Sequence, residues 1–353
     1  MSKLTKKLRL KLFFHKLFRW EYWPFGIVYI PVYFLWTYYS IRARSLFFFN
    51  ACNPTIKNGG FMMESKMKIY ELIPQHYYPK TALITNQTSF ETVCTTVEDQ
   101  AFSFPFIVKP DIGLRGSAVQ KVESLAMLKT YVEKADFDYL LQELIPYQNE
   151  IGIFYVRFPN EKTGRITGIV AKEFMVIEGD GIHSIEELIL ENPRYAFQLR
   201  SLQKEYGSKL QEIPTFGSKI NLVPIGNHAR GAKFIDKTSW ATPALNNLLN
   251  EICLQIDGVY FGRIDLMYHS IEDLEKGQNY AIVELNGAAS EPTHIYDPSH
   301  SLFFAWKELF RHITYMYQIS IMNHQKGFLY LSYKTGMQEY KLHLAQNRKI
   351  LNF

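Results

Sequence analysis

Cysteine is nearly missing from this sequence. Cys52, Cys94 and Cys253 are the only three, they stand far apart, and no CxxC pair occurs. Such spacing argues against a disulfide framework and against a cysteine-held zinc, and a reducing cytosol fits it best. Acid is missing from the beginning: Lys3, Lys6, Lys7, Arg9, Lys11, Lys16 and Arg19 all precede the first acidic residue, Glu21. Apart from those seven charges the chain, at a formal +5 overall, is close to neutral. That balance argues against a nucleic-acid footprint. Charge of either sign is missing from Tyr22 to Ile41. There is no internal repeat and no low-complexity tract, which excludes a repeat architecture.

What is present is a chain of 353 residues, 47% hydrophobic and 21% charged. It can bury a proper core as one large domain or two to three modules. Aromatic residues reach 15%, and the first fifty positions hold much of the excess. The uncharged stretch there is close to the roughly 20 apolar residues of a bilayer span. Gly26 and Pro31 interrupt it, however, and its Trp and Tyr rings favour the headgroup interface. It is too long for a signal peptide, and no small-residue cleavage site follows. The segment is therefore read as lying in a membrane surface, with the basic residues, Arg42 and Arg44 among them, against anionic lipid. The competing reading is a pair of aromatic helices packed on the globular domain. On the first reading, removing residues 1–45 should free the protein from membranes and leave its chemistry intact.

From about Asn50 the pattern is that of a soluble α+β protein. Residues 64–73 read as a short helix and 122–135 as an amphipathic one. Strands are expected in 80–85, 104–110, 138–145, 151–159, 164–177 and 279–286. Residues 183–193 begin with a capping signal and form a helix that stops at Pro193. Little can be assigned from Asn323 onward.

Three segments carry chemistry. In Lys109-Pro110-Asp111-Ile112-Gly113-Leu114-Arg115-Gly116-Ser117, a lysine ends a buried strand, where its charge is costly without a counter-charge. The glycines and the serine then supply a loop able to fold over phosphate oxygens. Taken alone, this is also an ordinary strand end and turn. In Gln142-Glu143-Leu144-Ile145, an extended linker can offer backbone groups to an adenine edge, and Glu150 can accept ribose hydroxyls. In Gly262-Arg263-Ile264-Asp265-Leu266 and Val283-Glu284-Leu285-Asn286, alternation sets Arg263 with Asp265, and Glu284 with Asn286, on single strand faces. If the two strands pair, three oxygen ligands and an arginine converge. That set suits magnesium and a transferring phosphoryl group.

In this order the segments resemble the ATP-grasp superfamily, over about residues 60–300. GRID followed by ELN looks like the metal end of the D-alanine–D-alanine ligases, and VKPDIGLRGS like their phosphate lysine and glycine loop. A second run, Ile177-Glu178-Gly179-Asp180-Gly181-Ile182-His183-Ser184, looks like the ATP-grasp domains of cyanophycin synthetase and bifunctional glutathione synthetase. The resemblance implies an ATP-grasp fold, with two α+β subdomains gripping ATP. It implies Lys66, Lys109, Gly113, Gly116, Ser117, Gln142, Glu143, Leu144, Ile145, Glu150 and Lys172 as nucleotide contacts. Asp265, Glu284 and Asn286 would hold one or two magnesium ions, for which manganese can substitute. Arg263 and Arg230 would stabilise the reacting charge. The residues around Arg230 depart from the family pattern and make that pocket more basic. The divisions expected are a basic, aromatic N-terminal segment at 1–48, a partial pre-ATP-grasp region at 49–100, an ATP-grasp domain at 101–322 and a tail at 323–353.

The activity implied is a ligase that joins a small-molecule carboxylate to an amine through an acyl phosphate, in the cytoplasm and peripheral to the inner face of the membrane. The alternatives are a small-molecule kinase on the same fold and a membrane-associated nucleotide-binding protein without catalysis.

Overall fold

The computed structural model describes residues 6–113, 116–222 and 231–353. The chain is α+β, with two antiparallel sheets facing one site. It begins with three helices, α1 (Lys6–Phe18), α2 (Phe25–Val28) and α3 (Ile30–Ala43). Pro31 is tolerated because it sits in the first turn of α3, where no N–H is needed. Next comes α4 (Lys66–Tyr70), whose N-cap Ser65 accepts from the Lys68 N–H.

The first sheet holds β1 (Thr81–Ile84), β2 (Phe106–Pro110), β3 (Gln120–Val122) and β4 (Tyr139–Glu143), in the order β1-β4-β2-β3. Helices α5 (Phe90–Asp99) and α6 (Leu125–Lys134) cover one face of it. Val93, Val97, Leu128 and Tyr131 meet Val108 and Leu141 there. The larger sheet opens with β5 (Asn149–Val156) and β6 (Arg165–Glu173). The chain then leaves it for a small outlying unit: β7 (Val176–Glu178), α7 (Ile185–Glu191), α8 (Pro193–Ala196), α9 (Leu199–Tyr206) and β8 (Lys219–Asn221). This unit has its own core around Met175, Ile189 and Leu210. The chain returns through β9 (Lys233–Asp236), α10 (Pro243–Leu254), β10 (Phe261–Tyr268), α11 (Ile271–Glu275) and β11 (Tyr280–Asn286). The resulting order is β11-β10-β5-β6-β9. Ile151, Ile153, Ile264, Leu266, Ile282 and Leu285 pack from one face of this sheet against Leu245, Leu249 and Ile252 of α10. On the opposite face, reached by the period-2 alternation of a strand, Phe154, Val156 and Phe261 pack against Met316 and Ile319 of α12 (Leu302–Gln325), and the rest of that face carries polar residues. A second long helix, α13 (Tyr333–Asn352), completes the fold.

Two expectations are corrected, and one open choice is narrowed. Residues 164–177, read as one strand, divide into β6 and β7, which belong to different sheets. The region after Asn323 contains α13, whose Ile350 reaches the core of the first sheet. Of the two readings of the N-terminal segment, the packing of aromatic helices on the domain is seen directly in residues 6–45. Trp36, Tyr39 and Ala43 of α3 pack on Phe48, Phe49, Met316 and Ile319, and Tyr39 stacks on Tyr317 at 4.1 Å. Among the described residues no helix is long and apolar enough to cross a membrane. The capping signal at 184 is realised in full: Ser184 accepts from the Glu187 N–H, and the Glu187 carboxylate accepts from the Ser184 N–H.

Candidate active site

The polar face of the larger sheet is fixed by register. Arg263 lies opposite Asn286, and Asp265 opposite Glu284, so all four side chains rise from the same side. The Arg263 fork grips Asp265 with Nε–Oδ1 at 2.6 Å and Nη2–Oδ2 at 2.9 Å. Gly152, opposite Asp265 on β5, makes room for this pair. A Cβ there would lie 2.9 Å from Asp265 Oδ1 and 3.2 Å from Arg263 Cδ. Further along the row, Lys172 pairs with Glu150, and its Nζ is also 3.8 Å from Asp265 Oδ2. Burial pushes the Asp265 carboxyl up, but Arg263 and Lys172 outweigh it and hold the group below its ordinary value. Burial likewise opposes the charge on Lys172, and Glu150 with Asp265 restores it.

The first sheet contributes the opposing side. Lys109 ends β2 and is 6% exposed. Its ammonium donates to Gln142 Oε1 at 2.8 Å, to the Tyr70 hydroxyl at 3.0 Å and to the Val283 carbonyl at 3.4 Å. Those three partners are neutral. Burial therefore pulls the Lys109 ammonium down to about 8, with Glu284 and Asp111 only partly opposing. Tyr70 accepts from Lys109 and from Gln142 Nε2 and donates its one proton to the Val283 carbonyl. The first sheet and α4 are thus bonded to β11 of the larger sheet.

Lys66, one turn before Tyr70, forms an ion pair with Glu284 at 3.4 Å. It also donates to the carbonyls of Asp111 and Gly113 at 3.4 and 3.5 Å. Burial opposes ionisation of Glu284, but Lys66, then Lys109 and Arg263, keep it below its ordinary value. The predicted residues therefore gather in two linked groups, one of Lys66, Lys109, Gln142 and Glu284, the other of Glu150, Lys172, Asp265 and Arg263, with Asn286 beside them.

The remaining expectations fall out unevenly. Glu143 closes β4, and Leu144 and Ile145 follow in an extended linker, Leu144 exposed and Ile145 half-buried. Gly113 is tied to Lys66 through its carbonyl, whereas among the described residues neither Gly116 nor Ser117 hydrogen-bonds to the cluster. Arg230 lies outside the described residues. Sequence reasoning missed three members. Tyr70 bridges the sheets; its spacing from Lys66 by one helical turn was the available signal. Glu64 accepts from the Gly287 N–H at 3.1 Å, and burial raises its carboxyl to about 8. Glu291 takes Arg263 Nη1 on its carbonyl at 3.4 Å and the hydroxyls of Tyr29 and Tyr296 on its carboxylate. Nothing in the local sequence marks either glutamate.

Among the described residues no three His, Cys, Asp or Glu gather so as to cage a metal by themselves. The fit must instead be judged from the donors. Glu284, Asp265 and Asn286 offer only hard oxygens, and the buried Asn286 Nδ2 has no hydrogen-bond partner. Turning that amide end for end sacrifices no bond at the nitrogen and presents its carbonyl oxygen at the same position. Such a set suits magnesium, which completes its shell with water and phosphate oxygens. Both oxygens of Asp265 already serve Arg263, so Glu284 and Asn286 are the more available pair.

No protein-family model matches the chain, and no curated protein matches it. Among solved structures the chain is similar to a bifunctional glutathione synthetase from Pasteurella multocida. The identity is 16% and the TM-score 0.38, covering 72% of this chain and 38% of that one. It is also similar to the VanG D-Ala:D-Ser ligase from Enterococcus faecalis, at 12% identity and a TM-score of 0.42, covering 72% of this chain and 61% of that one. A D-alanine–D-alanine ligase from Bacillus anthracis matches at 13% identity and a TM-score of 0.40, covering 74% and 69%. The chain spans less than two thirds of the length of the first two.

Proposed function

We propose that this chain is an ATP- and magnesium-dependent ligase that activates a carboxylate as an acyl phosphate and transfers it to an amine. The observation that carries the reading is the buried Lys109 ammonium, bonded only to neutral oxygens and set with Lys66 beside Glu284. A desolvated cation with no carboxylate in direct contact is stabilised by an anion that arrives later, and a polyphosphate is such an anion. Lys66 and Lys109 bind and orient the phosphates. The linker at Gln142, Glu143, Leu144 and Ile145 takes the adenine edge, and Glu150 with Lys172 takes the ribose side. The loop at Gly113, Gly116 and Ser117 covers the phosphates and excludes water, which would otherwise hydrolyse the intermediate.

Glu284 and Asn286, with Asp265 behind them, would hold magnesium. Bound there, it would neutralise charge on the phosphate oxygens. A substrate carboxylate oxygen attacks the γ-phosphorus, and the bond to ADP breaks. The amine nitrogen then attacks the acyl carbon, phosphate departs, and the amine gives up a proton. Arg263, anchored by Asp265 and the Glu291 carbonyl, stabilises the negative charge that develops in both steps. Arg230 is assigned the same role. The ATP-grasp unit is taken as 101–322, preceded by 1–48 and 49–100 and followed by 323–353.

Incubating the protein with ATP, Mg²⁺ and mixtures of amino acids and short peptides tests the assignment. A ligase releases ADP and phosphate only when carboxylate and amine are both present. Release with a single hydroxyl-bearing acceptor, with no free phosphate, would replace the ligase by a kinase. No release with any mixture would leave a nucleotide-binding protein.

A further inference from the structure

The two longer N-terminal helices each have an apolar face that none of the described residues covers. A helix that is apolar on all sides belongs inside a core, yet α3 lies on the surface. Its inward positions, Val32, Trp36, Tyr39 and Ala43, pack against α12 and its neighbours. Its outward positions, Ile30, Tyr33, Phe34, Thr37, Tyr38 and Ile41, recur at helical spacing. Phe34 is 73% exposed and Ile41 72%. The same pattern holds in α1, where Leu12 faces inward while Leu10, Phe13, Phe14, Leu17 and Phe18 point out, Phe18 at 78% exposure. At about 3.6 residues per turn, Lys11 falls on one flank of that stripe and Arg9 and Lys16 on the other. Long basic side chains on both flanks of an apolar stripe are placed to reach outward past it.

Charge decides what covers this face. From Lys6 to Leu46 the only acidic residue is Glu21, and its side chain is 5% exposed, in an ion pair with Arg194 at 2.8 Å. The exposed charge that this segment itself carries is therefore entirely positive. A second copy of the same face would set cation against cation. An anionic lipid surface pairs with it, and the Trp and Tyr rings suit the headgroup zone. A span is not supported: among the described residues no helix is long and apolar enough to cross a membrane, and the inward side of α3 is packed on the domain. The geometry points to a lipid-docking face built from α1 and α3, which seats the protein flat on a bilayer bearing anionic headgroups. This inference is independent of the ligase reading.

Flotation of the full chain with phosphatidylcholine vesicles, with and without phosphatidylglycerol, tests it. The protein should float with the mixed vesicles, lose binding as salt rises, and stay down with neutral ones. F14E/F18E, F34E/I41E and K11E/K16E change only exposed positions, so each should melt like the parent and lose about tenfold or more of its vesicle binding. Failure of the parent to float with anionic vesicles overturns the inference. So does a parent dimer in size-exclusion chromatography that F34E/I41E dissolves while vesicles capture nothing, because the covering partner is then a second copy. Should a variant fail to fold, bromine-bearing lipid decides on the parent: quenching of Trp23 supports docking, and unquenched fluorescence refutes it.

Discussion

Lys109 and Glu284 are the residues on which the site turns, and each can be tested alone. The Lys109 ammonium, lowered to about 8 by burial, is charged below that pH and neutral above it. The sign follows directly: kcat/KM for ATP should fall as pH rises through about 8, because the free protein loses the cation proposed to receive the phosphates. K109R should keep measurable activity and lose that alkaline limb, since a guanidinium does not titrate in the range. A limb unchanged in K109R would assign it to another group. Glu284→Ala should reduce ADP release about 100-fold or more, by removing the proposed ion ligand and freeing Lys66. Its melting temperature should fall only modestly, because the side chain is 31% exposed and packs in no core, although Lys66 loses its partner. Near-normal turnover would refute the assignment. Both residues were legible in the sequence because a charged or polar residue interrupting an apolar strand has few structural uses. Tyr70 and Glu64 were not, because an aromatic in a half-buried helix and a glutamate in a loop are common for many reasons.

At the scale of elements, the strands that carry the site were readable from alternation, and their pairing followed once β10 and β11 were antiparallel neighbours. The register shift after Asp265 was not readable, since it depends on which residue of β11 is left over rather than on any residue type. Gly152 is the element-level requirement that follows. Gly152→Ala would bring a methyl to 2.9 Å from Asp265 Oδ1 and 3.0 Å from Val170 Cγ1, inside a sheet that cannot yield on both sides. It should cost about 1–3 kcal/mol, seen as a lower urea midpoint, and disturb the Arg263 fork, seen as a fall in kcat. Unchanged values for both would mean that β5 can shift freely. Helix α13 was illegible for a related reason: of its 20 residues only Gly336 and Ile350 are buried, too few to set up a period. Those two contacts are nonetheless tertiary, with Gly336 pressed on Phe47 and Ile350 in the core of the first sheet. Ile350→Ala should destabilise the protein by about 2–5 kcal/mol, measured as a shift in the denaturation midpoint. A shift below about 1 kcal/mol, less than a buried isoleucine truncation ordinarily costs, would show that the helix end is not fixed there.

For the whole molecule, the sequence posed a choice between an N-terminal segment lying on a membrane and one packed on the domain. The structure makes the packing half definite. The inward face of α3 closes a core with α12, while Trp20 stacks on Tyr296 at 5.5 Å and Tyr29 donates to Glu291. Composition could not reveal this, because the residues that pack and the residues left exposed are of the same types. Deleting residues 1–45 is therefore a structural operation. It would uncover Phe48, Phe49, Ile295 and Leu309 and leave the buried Arg194 without the Glu21 carboxylate. Removing one partner of a buried ion pair alone costs about 3–5 kcal/mol. The loss would reach the site as well: Glu291, released from Tyr29, also carries the carbonyl that holds Arg263. The truncated chain should melt well below the parent and release ADP more slowly, while F34E/I41E, which spares every one of these contacts, should match the parent in both. Calorimetry and ADP release on the three proteins side by side check this. A truncated chain as stable and as active as the parent would mean that the segment is only appended and that Glu291 has no part in positioning Arg263.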